Sequence, residues 1–320
     1  MFKFYFILLY NISMQKEDFY KYLMEYSYNN SAEVVKTCTC NGGCNHPSGR
    51  CSSTGKNSCC WSKCLEEIFQ HDTNLRGRAR YNCNKLICQY LCRHLDKQAS
   101  EMLVALREIN DIISSFSEFN VISLGCGPCT ELVALDYYNQ ENGYNKNINY
   151  MGVDIEPSWE IIHTKIDEFI KQEHYNIDFK CSFGDATDIK FLGNLFNDNI
   201  NVIILNYIVS SLYSNSEFQK LNTLYSSIAE LISRNNIKNC VIIINDMNLS
   251  IRGTDTFINI IKNLKNNEVK ITQQKARYFV SPIYGTKYSS NKTIFEDFFY
   301  KKIFSGNKST SAQLLVQCGV

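Results

Sequence analysis

Asp154, Asp185, Asn206 and Asp246 share a setting, since each stands where a short apolar run gives way to small or polar residues. A carboxylate held at such a point accepts hydrogen bonds, and Asp154 in GVDIEP suits the paired hydroxyls of a ribose. Asp185 in GDA suits an exocyclic amino group such as that of adenine. Gly125 and Gly127 in LGCGPC supply the other half of a nucleotide site, because neither carries a Cβ and the backbone can close on a ligand. Asn206 and Tyr207 follow a fourth apolar run and are candidates for orienting a substrate. Asp246, after a fifth, is a candidate base and as readily a helix cap.

The elements that must position these residues follow from the same runs. Val121, Ile122 and Leu124 make a short apolar strand, the two glycines a tight turn, and Pro128 opens a helix continued by Glu131, Leu132, Val133 and Leu135. Strand, glycine turn and helix form the first half of a nucleotide-binding unit, with unpaired helix N–H groups facing the ligand. Further strands are expected at 149–154, 178–183, 201–206 and 240–246. The polar strand ends then gather on one edge of a parallel sheet, where open α/β sheets bind ligands. A helix is expected over 250–264 and two more strands over 276–282 and 313–319. The Tyr- and Phe-rich stretch 284–308 lies between those strands, and packing of a small core is favoured there over stacking on a base.

With these residues in place, the chain resembles the class I S-adenosylmethionine-dependent methyltransferases over roughly residues 115–320. SLGCGPCT is similar to their first motif, GVDIE to the segment with the ribose-binding acid, GDA to that with the adenine-binding acid, and ILNY to the fourth-strand motif. The resemblance implies a doubly wound, mostly parallel, seven-stranded Rossmann-like α/β sheet ending in an antiparallel hairpin, with S-adenosylmethionine as cofactor. It implies cofactor contacts at Leu124, Gly125, Cys126, Gly127, Asp154, Ile155, Asp185, Ala186 and Asn206, and leaves catalysis to Asn206, Tyr207 and Asp246. Three positions depart from the pattern. The acid usual two residues before the first glycine is Ser123, and the third glycine of the turn is Cys129. Asn206 is not followed by a Pro-Pro-aromatic run, which argues against methylation of adenine N6.

Two other function classes remain in view. Cys126-Gly127-Pro128-Cys129 spells a thioredoxin dithiol motif at a helix start, where a thiolate is stabilised. No Trp precedes it, however, and thiol–disulfide exchange would leave Asp154 and Asp185 unexplained. The other class is a catalytically inactive, zinc-containing binding module on the same fold.

Composition frames the remainder. With 44% apolar residues and a net charge of +1 over 320 residues, the chain is an ordinary globular one, neither disordered nor fibrous. Ten of its 15 cysteines lie between Cys38 and Cys92, among Gly, Ser and Asn residues that offer little apolar core. Such a segment needs a cross-link, and in a reducing compartment zinc on thiolate and imidazole ligands supplies it better than disulfides. The preferred ligand set is Cys60, Cys64, His71 and Cys83, with a second ion possible on Cys38, Cys40, Cys44 and Cys51. Residues 84–116 repeat apolar side chains at helical spacing, as one helix or as two joined near Ser100, with Cys88 and Cys92 on one face as small buried hydrophobes.

These readings divide the chain into an extension (1–37) with a short amphipathic helix over 17–35, a cysteine-rich, zinc-binding helical module (38–114) and a methyltransferase-like domain (115–320). Residues 38–100 hold 9 Lys and Arg against 4 Asp and Glu, a basic excess that leans towards RNA as methyl acceptor, ahead of a small molecule or a protein. The apolar run Phe4–Tyr10 is too short to span a bilayer and has no cleavage site behind it, and translation from Met14 is the plainer account of it. The expected location is cytoplasmic, with no membrane partner.

Overall fold

The structure is a computed structural model that describes residues 18–31, 84–173, 175–214, 217–248, 253–278, 286–287 and 311–320. The zinc ligand set expected at Cys60, Cys64, His71 and Cys83, like the second set at Cys38–Cys51, lies outside the described residues. In chain order the helices are α1 (Asp18–Asn30), α2 (Asn84–Glu108), α3 (Asn110–Ile113), α4 (Thr130–Glu141), α5 (Glu160–Gln172), α6 (Ile189–Gly193), α7 (Ile208–Ser214), α8 (Phe218–Arg234) and α9 (Ile258–Asn266). The strands are β1 (Phe119–Leu124), β2 (Ile148–Asp154), β3 (Ile177–Phe183), β4 (Val202–Asn206), β5 (Cys240–Met247), β6 (Lys270–Tyr278), β7 (Thr286–Lys287) and β8 (Ser311–Gly319).

The described residues form two compact units. The first comprises α1, the start of α2 as far as Asp96, and residues 156–173, which include α5. Within it, the buried face of α1 carries Phe19, Tyr20, Leu23 and Met24. Phe19 and Tyr22 stack on Phe169 of α5 with ring centroids 5.4 and 4.5 Å apart. In the same unit Tyr90 meets the edge of Trp159 at 5.4 Å. The helix expected over 17–35 is present over Asp18–Asn30, with residues 17 and 32–35 outside the described residues, and aromatic packing holds it.

The second unit is built on a single sheet of order β3-β2-β1-β4-β5-β8-β6-β7. Strands β1 to β5 run parallel, and β8 inserts antiparallel between β5 and β6. The sheet is therefore doubly wound and mostly parallel. It has eight strands rather than seven, because the two-residue β7 adds to the far edge. Sequence explains the placement: VIILN of β4 and CVIII of β5 are continuous apolar runs and occupy the middle, buried on both faces. At the edge, β3 is buried only at Ile177, and its remaining residues are half-buried or exposed. The main core gathers Ile122, Leu124, Ile203, Leu205, Ile242 and Ile244 from the sheet with Leu224, Ile228 and Leu231 of α8.

Three expectations shift. The strand expected at 276–282 is β6, which begins at Lys270; the alternation in KITQQKA is polar, as suits a strand near an edge, and gives no apolar run to read. The helix expected from Ser250 begins at Ile258, preceded by a 3-10 turn at Thr254–Thr256 that Gly253 enters with φ +87°. Helix α2 runs unbroken past Ser100, and the chain turns only at Ile109. Among the described residues no helix is long and apolar enough to cross a membrane.

Position in the sheet sets the expected cost of substitution. Ile243 in β5 is fully buried, so Ile243→Ala is expected to lower stability by about 2–5 kcal/mol. Lys180 pairs with Asp178 on the exposed edge, and Lys180→Ala is expected to stay within about 1 kcal/mol. Urea denaturation of the two variants measures both, and similar midpoints would contradict the sheet order.

Candidate functional site

The loop from β1 to α4 is fixed by backbone hydrogen bonds before any side chain acts. The N–H groups of Gly125 and Cys126 both donate to the carbonyl of Val153, at 2.7 and 3.0 Å. Gly125 takes φ +70° and Gly127 φ +48°, in the left-handed region that favours glycine. A Cβ on Gly125 would also lie 2.7 Å from Cδ1 of Ile208 at the start of α7. The N–H of Gly127 donates to Oδ2 of Asp154 at 2.7 Å. Asp154, expected to face a ribose, therefore also clamps the glycine turn; a carboxylate has acceptor capacity for both tasks.

Beneath the turn lies a buried polar network. Ser123 Oγ and Tyr150 Oη both donate to Glu131 Oε1 at 2.5 Å, and Asn206 Nδ2 approaches Glu131 Oε2 at 3.4 Å and Thr130 Oγ1 at 3.2 Å. Ser123 stands where the sequence pattern leads one to expect an acid, and Glu131, on the following helix, brings a carboxyl group to that place. The chain continues from Asn206 to Asn245, whose Nδ2 donates to Asn206 Oδ1 at 2.9 Å and to Glu101 Oε2 at 3.3 Å. Tyr207 Oη donates to the same oxygen of Glu101 at 2.7 Å, and Gln313 Nε2 donates to the Glu101 carbonyl at 2.7 Å. Burial pushes the Glu131 carboxyl up to about 7, Cys129 adds to the rise, and the bonds from Ser123 and Tyr150 oppose it.

The expected site residues separate into two groups. At the strand-end edge, Leu124 closes β1 and is buried, while Ile155 and Phe183, at the ends of β2 and β3, are exposed apolar side chains at 42% and 38%. Asp185 is partly exposed and accepts from the N–H and Oγ1 of Thr187 at 2.9 and 2.7 Å. Burial would raise its pKa, but those bonds and Lys220, 3.7 Å away, outweigh burial and hold the carboxyl below its ordinary range. Ala186 beside it is buried. Cys126, Gly127 and Asp154 complete this edge.

The expected catalytic residues sit deeper. Asn206 is 7% exposed and engaged in the network. Asp246 is buried and accepts from the N–H of Ser210 at 3.0 Å and of Met247 at 2.7 Å, the geometry of a helix cap for α7. Burial raises its pKa to about 6 against those bonds. Tyr207 holds φ +61°, and the Lys97 ammonium lies 5.3 Å from its ring centroid.

A second cluster lies beside the turn. Ser123, Gly152 and Cys181 are aligned across β1, β2 and β3, and the sulfurs of Cys126, Cys129 and Cys181 lie within 4.8 Å of one another. Burial and the neighbouring thiols push Cys126 up, while hydrogen bonds from Cys126 and Cys129 bring Cys181 down. The two cysteines of the CGPC motif are buried, and Cys129 begins α4 with φ +57°.

Sequence reading passed over Glu101, Glu131, Tyr150, Gln313 and Cys181. Each lies inside a helix or strand, where a polar residue usually faces solvent. The available signal was Ser123, since a missing carboxylate in a buried motif calls for one from elsewhere.

Glu131 also sets a pH dependence. Its folded-state pKa is raised from 4.5 to about 7, so its contribution to stability is complete at acid pH and is lost as pH rises through about 7. The full loss has an upper limit of about 3 kcal/mol. Asp136 and Asp246, raised to about 7 and 6 by burial, act in the same direction. Glu131→Gln, which cannot ionise, is expected to flatten the fall in stability between about pH 5 and 8 without abolishing it. Denaturation midpoints across that range test this, and an unchanged slope in the variant would contradict it.

No known family description matches the sequence, and no curated protein does. Solved structures do. One, from Listeria monocytogenes and assigned to the class I S-adenosylmethionine-dependent methyltransferases, shares 12% identity over 95% of this chain and 88% of its own, with a TM-score of 0.44. A TehB-like SAM-dependent methyltransferase from Corynebacterium glutamicum shares 11% over 70% and 86%, with a TM-score of 0.34. Geranyl diphosphate methyltransferase in complex with GPP and sinefungin shares 10% over 68% and 76%, with a TM-score of 0.38. All three TM-scores lie below 0.5, and the functional reading rests on the site itself. The order β3-β2-β1-β4-β5, with the antiparallel β8 inserted next, is a doubly wound, mostly parallel α/β sheet.

Proposed function

We propose that the protein is an S-adenosylmethionine-dependent methyltransferase. One observation carries the reading: the clamp between Gly127 N–H and Asp154 joins a left-handed glycine turn to an acid at the next strand end. The exposed Ile155 and Phe183 and the acid Asp185 stand on the same edge. Together they supply what an adenosyl ligand needs, namely a turn without side chains that admits close approach, a carboxylate for hydroxyls, apolar side chains for a base and a carboxylate for its amino group. Leu124, Gly125, Cys126, Gly127, Asp154, Ile155, Asp185 and Ala186 would hold the cofactor.

The cofactor, when bound, supplies a methyl group on an electrophilic sulfonium. The chain's own work is to align an acceptor with it and to exclude water. Tyr207, just after β4, and Lys97 of α2, which lies over its ring, would orient that acceptor. Asn206 acts one step back by fixing the start of α4 through Thr130 and Glu131, and Asp246 holds α7 in place beside Gly125. The basic excess over residues 38–100 supports RNA as the acceptor class.

Titration calorimetry is expected to show S-adenosylmethionine binding that Asp154→Ala weakens tenfold or more, because the turn loses its clamp and the ligand an acceptor. Gly125→Ala is expected to abolish binding, through its φ of +70° and its collision with Ile208. Binding of a nicotinamide dinucleotide with none of S-adenosylmethionine would overturn the proposal. For the acceptor, tritium from labelled S-adenosylmethionine is expected in RNA; label in protein or small molecules alone would overturn the acceptor class and leave the enzyme reading intact.

A further inference from the structure

We propose that Cys126, Cys129 and Cys181 form a binding site for a thiophilic divalent cation, zinc in the first instance, which staples the glycine turn to β3. The inference stands independently of the methyltransferase reading.

Distance is the first support. Cys129 Sγ and Cys181 Sγ lie 3.8 Å apart, and all three sulfurs fall within 4.8 Å of one another. Two thiolates on one zinc, each about 2.3 Å from the ion at a tetrahedral angle, stand about 3.8 Å apart. A disulfide would need about 2.05 Å.

Space is the second. A Cβ on Gly152 would lie 2.7 Å from Cys181 Sγ and 2.9 Å from Cys126 Sγ. The absence of that side chain, at the centre of the row Ser123, Gly152, Cys181, leaves room for two of the sulfurs over the sheet.

Backbone conformation is the third. Cys129 holds φ +57°, a left-handed geometry that costs a residue with a Cβ roughly 1–2 kcal/mol and that glycine adopts freely. A metal bond to the Cys129 sulfur would offset that cost, and strain of this kind is found where it is used.

Binding is a proton exchange without redox change. The three thiols release three protons, the cation takes three Cys Sγ–metal bonds, and a fourth donor outside these residues completes a tetrahedral ion. Two of the ligands flank Gly127 and the third lies on β3, so the ion links the β1–α4 turn to the sheet edge.

The test uses the full chain, reduced and freed of metal, titrated with cobalt(II) and followed by thiolate-to-cobalt charge-transfer absorption. Cysteines elsewhere in the chain contribute equally to every sample, so the comparison is between variants. Cys181→Ser is expected to bind one equivalent less than the parent and to lose the matching absorption, while Cys318→Ser, outside the cluster, keeps it. Equal stoichiometry in the parent and Cys181→Ser would overturn the proposal. Should Cys181→Ser fail to fold, alkylation of the parent by iodoacetamide, mapped by mass spectrometry, decides instead. Zinc is expected to slow labelling of Cys181 at least tenfold, and labelling indifferent to zinc would overturn the site.

Discussion

A carboxyl group with no exposure to water, that of Glu131, holds together the part of the molecule on which everything else depends. It ties the first turn of α4 to β1 through Ser123, to β2 through Tyr150 and to β4 through Asn206. In a low-dielectric interior each such bond is strong, and each polar group left without one is costly, so the four elements are held in one relative arrangement. The residues of the glycine turn have little freedom of their own once α4 is fixed.

The same arrangement accounts for the division of labour among the polar residues. Asn206, Asn245, Glu101 and Gln313 look inward and bond to one another, although Gln313 Oε1 is buried without a partner among the described residues. Asp154 and Asp185 stand at the sheet edge. A rigid, internally bonded layer beneath an edge of acids and exposed apolar side chains is how a site is held ready before its ligand arrives. The buried layer specifies geometry, and the edge is where the proposed cofactor would bind.

The thiols add a second restraint to the same turn. Cys126 and Cys129 leave it on the side facing β2 and β3, where Gly152 makes room and Cys181 completes the group. The CGPC segment thus serves two structural demands at once. Its glycines set the turn, and its cysteines join a cluster whose third member lies 52 residues on.

Much of this was legible in the sequence. The five parallel strands were, because near-continuous apolar runs ending in Asp154, Asn206 and Asp246 allow few other readings. So was the glycine turn, since Gly125 and Gly127 sit between such a run and a helix opened by Pro128. The start of β6 was not, because its polar alternation leaves no contrast to detect. Nor were the partners of the buried polar groups. Glu131 reads as an acid favourable at a helix start, and Glu101 as part of an ordinary amphipathic helix, until the fold brings Ser123, Tyr150 and Asn245 to them. Periodicity records which way a side chain faces along its own element; the contact of Cys129 with Cys181, or of Glu101 with Tyr207, spans tens of residues and is settled only when parallel strands fall into register.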